Sequence, residues 1–333
     1  MTCAMLLAAV IVGTWNGEWF PSGRAEHRAP DAVEAATTRK AGELLARGLK
    51  AVDPQGTNDV ILCLNEIRGP HAASNLVAQI GRAGLRVVAI SGYRRRDRFD
   101  MQQDVIATTL PVAGCHWSKW KTFRKVFLPR GYVHADIIIS PTVTASVYAV
   151  HLKSNYGQTT EEIAQTNRLK RTAAIEQLLA AEGVSGGSRR RRAANRPLMR
   201  PTIVAGDFNA DKWDENFAAE SIFSLFENAR FDNVMEALPP ARRITHPGRG
   251  KWRNATFDYV MVRGLKVREP GVVLSADGLS DHNPVFTVLE ESASMKLETP
   301  TDQEKPPRRR RRKSKRASQD VANEKPVQNE EMK

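Results

Sequence analysis

The amino-acid sequence predicts an α/β protein whose strands form a mixed-sheet sandwich with helices on the outside. Short apolar runs of strand length alternate with longer segments at helical spacing along most of the chain. Several strands nevertheless follow one another directly, as at 135–140 and 145–152, which Pro141 and Thr142 join in a pattern typical of a hairpin. This order argues against a purely parallel, doubly wound sheet and favours mixed sheets.

The first half of the chain is predicted to contain two helices and several buried strands. Apolar residues at helical spacing predict a helix over 31–52, which ends where Asp53 and Pro54 begin a turn. A shorter helix is expected at 74–83, just before Gly84. Apolar runs predict strands at 8–15, 60–64, 85–90 and 105–110, and an irregular strand region is expected around Trp117, Trp120, Phe123 and Phe127.

The clearest helix of the sequence lies in the second half, over 160–181. Thr160 is a candidate N-cap, and Glu161 and Glu162 place negative charge in the first turn. The apolar stripe of this helix is expected to comprise Ile163, Leu169, Ile175, Leu178 and Leu179. A further helix is expected over 214–229, and further strands at 203–205, 256–262, 272–275 and 285–289.

The chain is strongly basic, with a net charge of +13 and an isoelectric point near 9.9. Such a charge favours polyanionic partners, either nucleic acid or an anionic membrane surface, but it indicates no particular chemistry. A hydrophobic content of 41% with 26% charged residues is typical of a soluble globular protein. The three cysteines, Cys3, Cys63 and Cys115, are odd in number and far apart, which argues against a disulfide framework and against a zinc motif.

The two ends of the sequence differ from the middle in composition. An apolar run over 4–13 is too short to span a bilayer, and no Lys or Arg precedes it. Because this run leads directly into 12–20, a first core strand is favoured over a cleaved signal peptide. A cytoplasmic protein is favoured accordingly, and secretion is the alternative if the run is a signal. The segment 291–333 is polar and contains the basic run 308–312, which predicts a disordered basic tail after a folded domain of residues 1–290.

Two polar residues follow the predicted strand at 203–205. Gly206 allows a tight turn, and Asp207 and Asn209 lie two residues apart, so their side chains point the same way on an extended segment. Asp207 can take a proton or hold a metal-bound water, and Asn209 can donate to a phosphate oxygen. The pair therefore suits metal-assisted hydrolysis of a phosphate ester, with a simple Asx turn as the alternative.

Polar residues recur at the ends of the other predicted strands. Any one of them alone is typical of a turn or of a solvated surface. Their recurrence after apolar strands favours a functional site, because binding and catalysis concentrate where strands end. The residues concerned are Asn16 with Glu18, Glu66, His151, Asp207 with Asn209, and Asp281 with His282, while Asp258 lies inside a predicted strand beside Tyr259.

These residues belong to six short motifs: Thr14-Trp15-Asn16, Leu64-Asn65-Glu66, Val150-His151-Leu152-Lys153-Ser154, Gly206-Asp207-Phe208-Asn209, Phe257-Asp258-Tyr259-Val260 and Ser280-Asp281-His282. The set resembles the endonuclease/exonuclease/phosphatase superfamily, which includes pancreatic-type DNase, exonuclease III-like abasic endonucleases, sphingomyelinases and inositol polyphosphate 5-phosphatases. The resemblance implies a four-layer α/β sandwich, with two mixed β-sheets flanked by helices, and a catalytic domain over 1–290. It also implies a divalent-metal-dependent hydrolase of phosphodiesters or phosphomonoesters.

The resemblance further implies which residues hold the metal. Glu66 would be the main Mg²⁺ ligand, with Asn16 and Asp281 near the ion, and Mn²⁺ could take its place. Such a carboxylate-held ion keeps water ligands and binds phosphate oxygens.

Catalytic roles are implied for five other residues. Asp207 would orient or deprotonate the attacking water, and Asn209 would hold the phosphate. His282 would contact the phosphate, with its ring oriented and its charge favoured by Asp258. His151 resembles the second histidine of the DNase-like members, although the sequence offers no partner carboxylate for it.

Basic residues give the main clue to the substrate. Lys153 and Asn155 follow His151, and Arg190 and Arg191 lie in a flexible basic loop, so all four are candidate substrate-binding residues. The aromatic residues around Trp117 could stack on bases, with ordinary core packing as the alternative. A nuclease that cleaves DNA or RNA is therefore the first hypothesis.

Two other functions stay open from the sequence. One is a phospholipid or sugar-phosphate phosphodiesterase or phosphatase of the same fold, although no long exposed apolar hairpin is evident. The other is a catalytically inactive nucleic-acid-binding protein, which the presence of every expected polar residue argues against. Nucleic acid is the expected partner, a monomer is favoured, and stable membrane insertion is not expected.

Overall fold

Two six-stranded sheets form the centre of the computed structural model, which describes residues 9–22, 29–95, 98–99, 102–155, 157, 159–183, 200–250 and 253–291. The first sheet consists, in spatial order, of β13 (Leu265–Val273), β14 (Val285–Glu291), β1 (Ala9–Phe20), β2 (Asp59–Ile67), β6 (Gln103–Thr108) and β3 (Arg86–Ile90). The second consists of β11 (Asp232–Asn233), β12 (Asp258–Arg263), β10 (Thr202–Asp207), β9 (Val143–His151), β8 (Gly131–Ser140) and β7 (Val112–Lys119). A separate two-stranded ribbon pairs β4 (Arg94–Arg95) with β5 (Arg98–Phe99).

Both sheets are mixed, as the sequence predicts. In the first sheet β1 runs parallel to β2 and antiparallel to β14. In the second sheet β10 runs parallel to β9 and antiparallel to β12. The parallel pairs β1–β2 and β9–β10 bring the ends of four strands to shared sheet edges, where the predicted polar residues lie.

Four α-helices within the described residues cover the outer faces of the sheets. The side chains of α1 (Asp31–Val52) and α2 (Pro70–Ile80) pack with β1 and β2 in one hydrophobic core. Those of α3 (Glu161–Ala181) and α4 (Ile222–Asn228) pack with β9, β10 and β12 in another. A third core lies between the sheets. The four layers follow the order helix, sheet, sheet, helix.

Strand β2 shows why apolar runs, rather than alternating patterns, mark these central strands. Val60, Leu62 and Leu64 face the helices, whereas Ile61 and Cys63 face the other sheet. All five side chains are fully buried, because successive residues of a strand point to opposite faces and both faces are covered. Burial raises the pKa of the Cys63 thiol, which is consistent with a purely structural residue.

Several element boundaries differ from the sequence prediction. Strand β1 continues past Trp15 to Phe20 because an irregularity between Asn16 and Phe20 carries the chain through the polar residues. Helix α2 begins at Pro70, as proline is tolerated in a first turn, and ends at the left-handed Gly81.

The helix predicted over 214–229 is shorter than expected. Only Ile222–Asn228 is α-helical, and a 3₁₀ turn, Glu215–Phe217, precedes it. The side chain of Asp214 accepts a hydrogen bond from the Asn216 backbone amide, so a local cap takes the place of a continuous helix.

Helix α3 has the predicted start but a different buried face. The Thr160 hydroxyl accepts a hydrogen bond from the Ile163 amide, which confirms the predicted cap. Ile163 itself is 39% exposed, so its place in the predicted stripe is wrong. The buried face instead includes Ala164, Asn167 and Arg171, and the Arg171 side chain pairs with Glu220.

The aromatic residues around β7 divide between core and surface. Trp120 is 6% exposed and packs on Tyr132, so it is a core residue and cannot stack on bases. Phe123 packs against the same core. Trp117 and Phe127 are exposed, at 39% and 71%.

Within the described residues, no helix combines the length and apolar character needed to cross a membrane. The predicted basic tail beyond Glu291 and the loop with Arg190 and Arg191 lie outside the described residues.

Candidate active site

Three polar residues of the second sheet lie side by side at one edge. Asp207, the last residue of β10, stands opposite His151 of β9 and opposite Asp258 of β12 in the strand register. The register follows from the buried apolar runs that precede Asp207 and His151 and that follow Asp258. Asp258 is thus the first residue of its strand, where the antiparallel direction of β12 brings it to the same edge as two strand ends.

The first sheet supplies residues to the same place. Asn16 of β1 stands opposite Asn65 of β2 near the ends of both strands, and Glu66 follows Asn65. The Asn16 side-chain amide donates to Asp207 Oδ2 at 2.9 Å and lies 3.4 Å from Glu66 Oε1. One amide therefore joins the carboxylates of the two sheets.

Asp207 is the centre of the arrangement. Its Oδ2 accepts from Asn209 Nδ2 at 2.9 Å and lies 3.5 Å from Nε2 of His151 and 3.8 Å from Nε2 of His282. The Asn209 amide also donates to the carbonyl oxygen of Leu152 at 3.2 Å, which fixes its orientation.

His151 has the partner carboxylates that the sequence did not identify. Its Nε2 lies 3.6 Å from Glu66 Oε1 in addition to its contact with Asp207. Burial lowers the pKa of His151, and the positive charges of Arg130 and His282 lower it further, so the ring is uncharged at neutral pH.

His282 is held in the opposite protonation state. Its Nδ1 and Asp258 Oδ2 form a 2.7 Å hydrogen bond. Burial alone would lower the pKa of His282, but the negative charges of Asp258 and Asp207 outweigh burial and raise the pKa to about 10. Asp207 itself is fully buried, and this burial raises the pKa of its carboxyl group even though His282 opposes the shift. The edge therefore holds one charged and one neutral histidine around one carboxylate.

Three residues at this edge have strained backbone conformations. Glu18, Glu66 and Asn209 are non-glycine residues with φ of 48°, 59° and 52°. Each such left-handed residue costs about 1–3 kcal/mol and persists where the surrounding structure imposes it, commonly at functional sites. Gly206 has φ of 145°, and a Cβ there would lie 1.9 Å from the Val150 carbonyl oxygen.

The donor set fits a hard divalent cation. Burial raises the pKa of Glu18, and repulsion from the Asp281 and Glu66 carboxylates adds to the shift. A cation among these three groups would relieve that repulsion, and carboxylate oxygens are the ligands that Mg²⁺ and Mn²⁺ prefer. The Asp281 amide donates to Glu18 Oε2 at 2.8 Å, which holds the two residues together.

Sequence reasoning assigned no role to four residues close to the site: Asn65, Asp104, Thr245 and His246. His246 lies 3.8 Å from Asp281 and packs edge-on against His282, with ring centroids 5.0 Å apart, but its loop carries no recognisable pattern. Asn65 donates to Asp104 Oδ1 at 2.7 Å and accepts from the Asp207 amide at 3.1 Å. Thr245 Oγ1 accepts from the Asp258 amide at 3.0 Å. Asn65 is part of the Leu64-Asn65-Glu66 motif of the sequence, but no role was assigned to it there.

Of the predicted substrate-binding residues, Lys153 and Asn155 lie within the described part of the chain, and both are close to positively charged side chains. Burial lowers the pKa of the Lys153 ammonium to about 8, and the positive charges of Arg130, Lys170 and Arg171 add to the shift. Asn155 Oδ1 accepts a hydrogen bond from Arg171 at 2.9 Å. Lys153 and Arg130 both lower the pKa of His151, which places their positive charges near the site.

The protein is thus an α/β sandwich of four layers. Its carboxylate and histidine side chains cluster at the edge where the two sheets meet. The chain belongs to the Endonuclease/Exonuclease/phosphatase family, whose model matches residues 13–282. Enzymes of this family are phosphoesterase hydrolases and generally depend on divalent metal ions.

Solved structures share this fold at low sequence identity. An endonuclease/exonuclease/phosphatase from Beutenbergia cavernae DSM 12333 has a TM-score of 0.57 and 15% identity, covering 85% of this chain and 72% of that one. A family protein from Leptotrichia buccalis C-1013-b has a TM-score of 0.54 and 15% identity over 84% and 98% of the two chains. D. rerio TDP2, complexed with a single-strand DNA product, has a TM-score of 0.51 and 15% identity over 85% and 99%. Comparison with curated proteins finds no match.

Proposed function

We propose that this protein is a divalent-metal-dependent phosphodiesterase that hydrolyses DNA or RNA. The observation that carries the proposal is the arrangement around Asp207, whose buried carboxylate lies 3.5 Å from His151 and 3.8 Å from His282. The pKa of His282 is raised and that of His151 is lowered, which favours one charged and one neutral ring beside this carboxylate. Hydrolysis of a phosphodiester needs a proton acceptor for the attacking water and positive charge for the phosphorane-like transition state. The edge offers both within one hydrogen-bonded cluster.

Asp207 is assigned to the water. Its raised pKa makes it a stronger base than an exposed aspartate once it is ionised, and the Asn16 and Asn209 amides hold its orientation. In the proposed reaction the Asp207 carboxylate accepts a proton from water as the water oxygen attacks phosphorus, the P–O bond to the leaving nucleotide breaks, and the leaving oxygen takes a proton from solvent.

His282 and Asn209 are assigned to the phosphate. A histidine that stays protonated at neutral pH can donate a charge-assisted hydrogen bond to a phosphate oxygen, and the Asp258 contact fixes which nitrogen faces the site. Because the positive charge is present before the reaction, it stabilises the charge that develops in the transition state without reorganisation.

Glu66, Asn16 and Asp281 are assigned to the metal, with Glu18 beside them. When bound, Mg²⁺ or Mn²⁺ would polarise a phosphate oxygen as a Lewis acid. His151, uncharged and in contact with both Glu66 and Asp207, is assigned to holding these two carboxylates in place.

Nucleic acid is favoured over other phosphoesters because of charge. The chain carries a net charge of +13, and Lys153 and Arg130 place positive charge beside the site. One structure of the same fold, D. rerio TDP2, contains a single-strand DNA product. A string of phosphates is the substrate that such a surface attracts most strongly.

The experiment is a panel of plasmid DNA, single-stranded RNA and a choline phospholipid, each incubated with Mg²⁺, Mn²⁺ or EDTA. Cleavage of either nucleic acid with metal, abolished by EDTA, is expected. Cleavage of the phospholipid alone would replace the substrate assignment, and binding of DNA without turnover of any substrate would indicate an inactive binding protein.

A further inference from the structure

A histidine pair lies on the outer strands of the second sheet. It is separate from the proposed catalytic edge, the cluster around Asp207, His151 and His282. His116 of β7 stands directly opposite His134 of β8 in the antiparallel register. Side chains directly opposite one another on neighbouring strands have Cβ atoms about 5 Å apart, which brings the two rings within contact distance. Their Nδ1 atoms lie 3.3 Å apart.

This separation matches that of two ligands on one metal ion. Zinc binds imidazole nitrogen at about 2.0–2.1 Å in a tetrahedral arrangement, which places two nitrogen ligands about 3.3 Å from each other. We propose that His116 and His134 form a second metal site that binds a borderline transition metal of the Zn²⁺, Ni²⁺ or Cu²⁺ class.

The surroundings of His134 support its role as a ligand. The Nε2 atom lies 3.2 Å from Asp136 Oδ1, and Arg200 Nη2 lies 2.8 Å from the same oxygen; both are charge contacts without hydrogen-bond geometry. A carboxylate facing one ring nitrogen favours the proton there and leaves the lone pair on the other nitrogen, as in most metal-bound histidines. Here the nitrogen with the lone pair is Nδ1, the atom that faces His116.

Both rings are positioned in advance of binding. His134 is 7% exposed and packs on Tyr148 with ring centroids 4.6 Å apart, while His116 contacts Tyr132 edge-on at 5.9 Å. Burial lowers the pKa of His134, so the ring is uncharged at neutral pH and can accept a cation. Because His116 is exposed, solvent or a further ligand can complete the coordination sphere.

The donor set distinguishes this site from the catalytic one. Two imidazoles select Zn²⁺, Ni²⁺ or Cu²⁺ and discriminate against Mg²⁺, which prefers the carboxylate oxygens at the catalytic edge. β7 is an edge strand of its sheet, so an ion shared by His116 and His134 would tie that edge to β8. The expected consequence is greater stability of the folded protein, since the ion binds only the folded arrangement.

The test measures Zn²⁺ bound per chain by equilibrium dialysis in excess Mg²⁺, together with the melting temperature with and without Zn²⁺. Wild-type protein is expected to bind one Zn²⁺ more per chain than His116→Ala and to gain a Zn²⁺-dependent increase in melting temperature that His116→Ala lacks. His71→Ala, which removes an exposed histidine from α2, is the matched control and is expected to behave as wild type.

His116→Cys separates a ligand from a purely structural residue, because a thiolate can replace imidazole on Zn²⁺ and should restore the extra ion. Equal Zn²⁺ binding and equal melting shifts in wild type and His116→Ala would overturn the proposal and leave a hydrogen bond between two histidines. Zn²⁺ bound at the catalytic edge contributes equally to both proteins, and no step of the test depends on the proposed hydrolysis.

Discussion

The pKa values of Asp207 and His282 are both raised, but the two groups are needed in opposite protonation states. Burial holds the pKa of Asp207 above its ordinary value, whereas the carboxylates around His282 raise the pKa of the imidazole to about 10. In the proposed mechanism, Asp207 acts when ionised and His282 acts when protonated. Both conditions are met together only between the two pKa values.

We expect the pH dependence of kcat/KM to be bell-shaped. Activity should rise as pH increases through the raised pKa of Asp207 and fall as pH increases through about 10, where His282 loses its proton. Asp258→Asn removes the negative charge beside His282, so the alkaline limb should move to lower pH. Asp232→Asn, at an exposed aspartate of β11, is the control, and an unmoved alkaline limb in Asp258→Asn would contradict this assignment.

Asn65 is expected to matter for both stability and activity. Its side chain donates to the buried Asp104 carboxylate and accepts from the Asp207 amide, so it joins the two sheets directly behind the catalytic edge. Asn65→Ala leaves these buried groups without partners, which should cost about 1–3 kcal/mol of unfolding free energy. Urea denaturation gives the stability, and kcat should fall with little change in KM. Asn228→Ala, at an exposed position at the end of α4, is the control, and an Asn65→Ala protein as stable and active as wild type would remove this role.

Short motifs made the central residues predictable, because each motif lies at or near one end of a buried strand. The residues that support them were not predictable in this way. Asp104 and His246 reach the site through the pairing of distant strands and loops, and nothing in their local sequence indicates such contacts.

At the scale of elements, the site depends on how closely β9 and β10 approach. Gly206 lets the chain pass against the Val150 carbonyl oxygen, in a conformation that side chains rarely adopt. The position of Asp207 opposite His151 follows from this close pairing.

Gly206→Ala should therefore destabilise the protein and remove activity together. A Cβ 1.9 Å from a carbonyl oxygen forces the strands apart, and we expect a loss of about 3 kcal/mol or more in unfolding free energy. Gly114→Ala is the matched control, since a Cβ at this strand glycine meets only Asp136 Oδ2, at 3.8 Å. Thermal unfolding of the two variants compares them directly, and equal melting temperatures would show that the close approach is not required.

Helices with strong periodicity and clear ends were predicted best. Helix α1 has the predicted bounds, and α3 begins after the predicted Thr160 cap. The helix prediction for 214–229 was wrong over its first half, because a side-chain cap at Asp214 competes with helix formation there. Hydrophobic spacing does not reveal such a cap.

For the whole molecule, the arrangement of layers brings two sheets together at one edge, where Asn16 of the first sheet contacts Asp207 of the second. Neither sheet alone contains the proposed water-activating and metal-binding residues. The positive charge of the chain is the other property of the whole molecule that bears on the substrate.

The basic C-terminal segment is expected to add salt-sensitive affinity and no chemistry. Eight of the nine residues in 308–316 are Lys or Arg. Deleting residues 292–333 should reduce the slope of log binding affinity against log salt concentration, because fewer counterions are released, and should leave hydrolysis of a short oligonucleotide unchanged. Fluorescence anisotropy at several salt concentrations measures the slope, and an unchanged slope would refute this role.

The most direct test of the proposed function is hydrolysis of DNA and RNA by wild type, Glu66→Gln and His282→Ala in Mg²⁺, with Glu43→Gln at an exposed position of α1 as the control. The assignment predicts that both site variants fold, as judged by circular dichroism, and lose nearly all turnover, whereas the control retains it. Full hydrolysis by folded Glu66→Gln or His282→Ala would show that the reaction does not occur at this site.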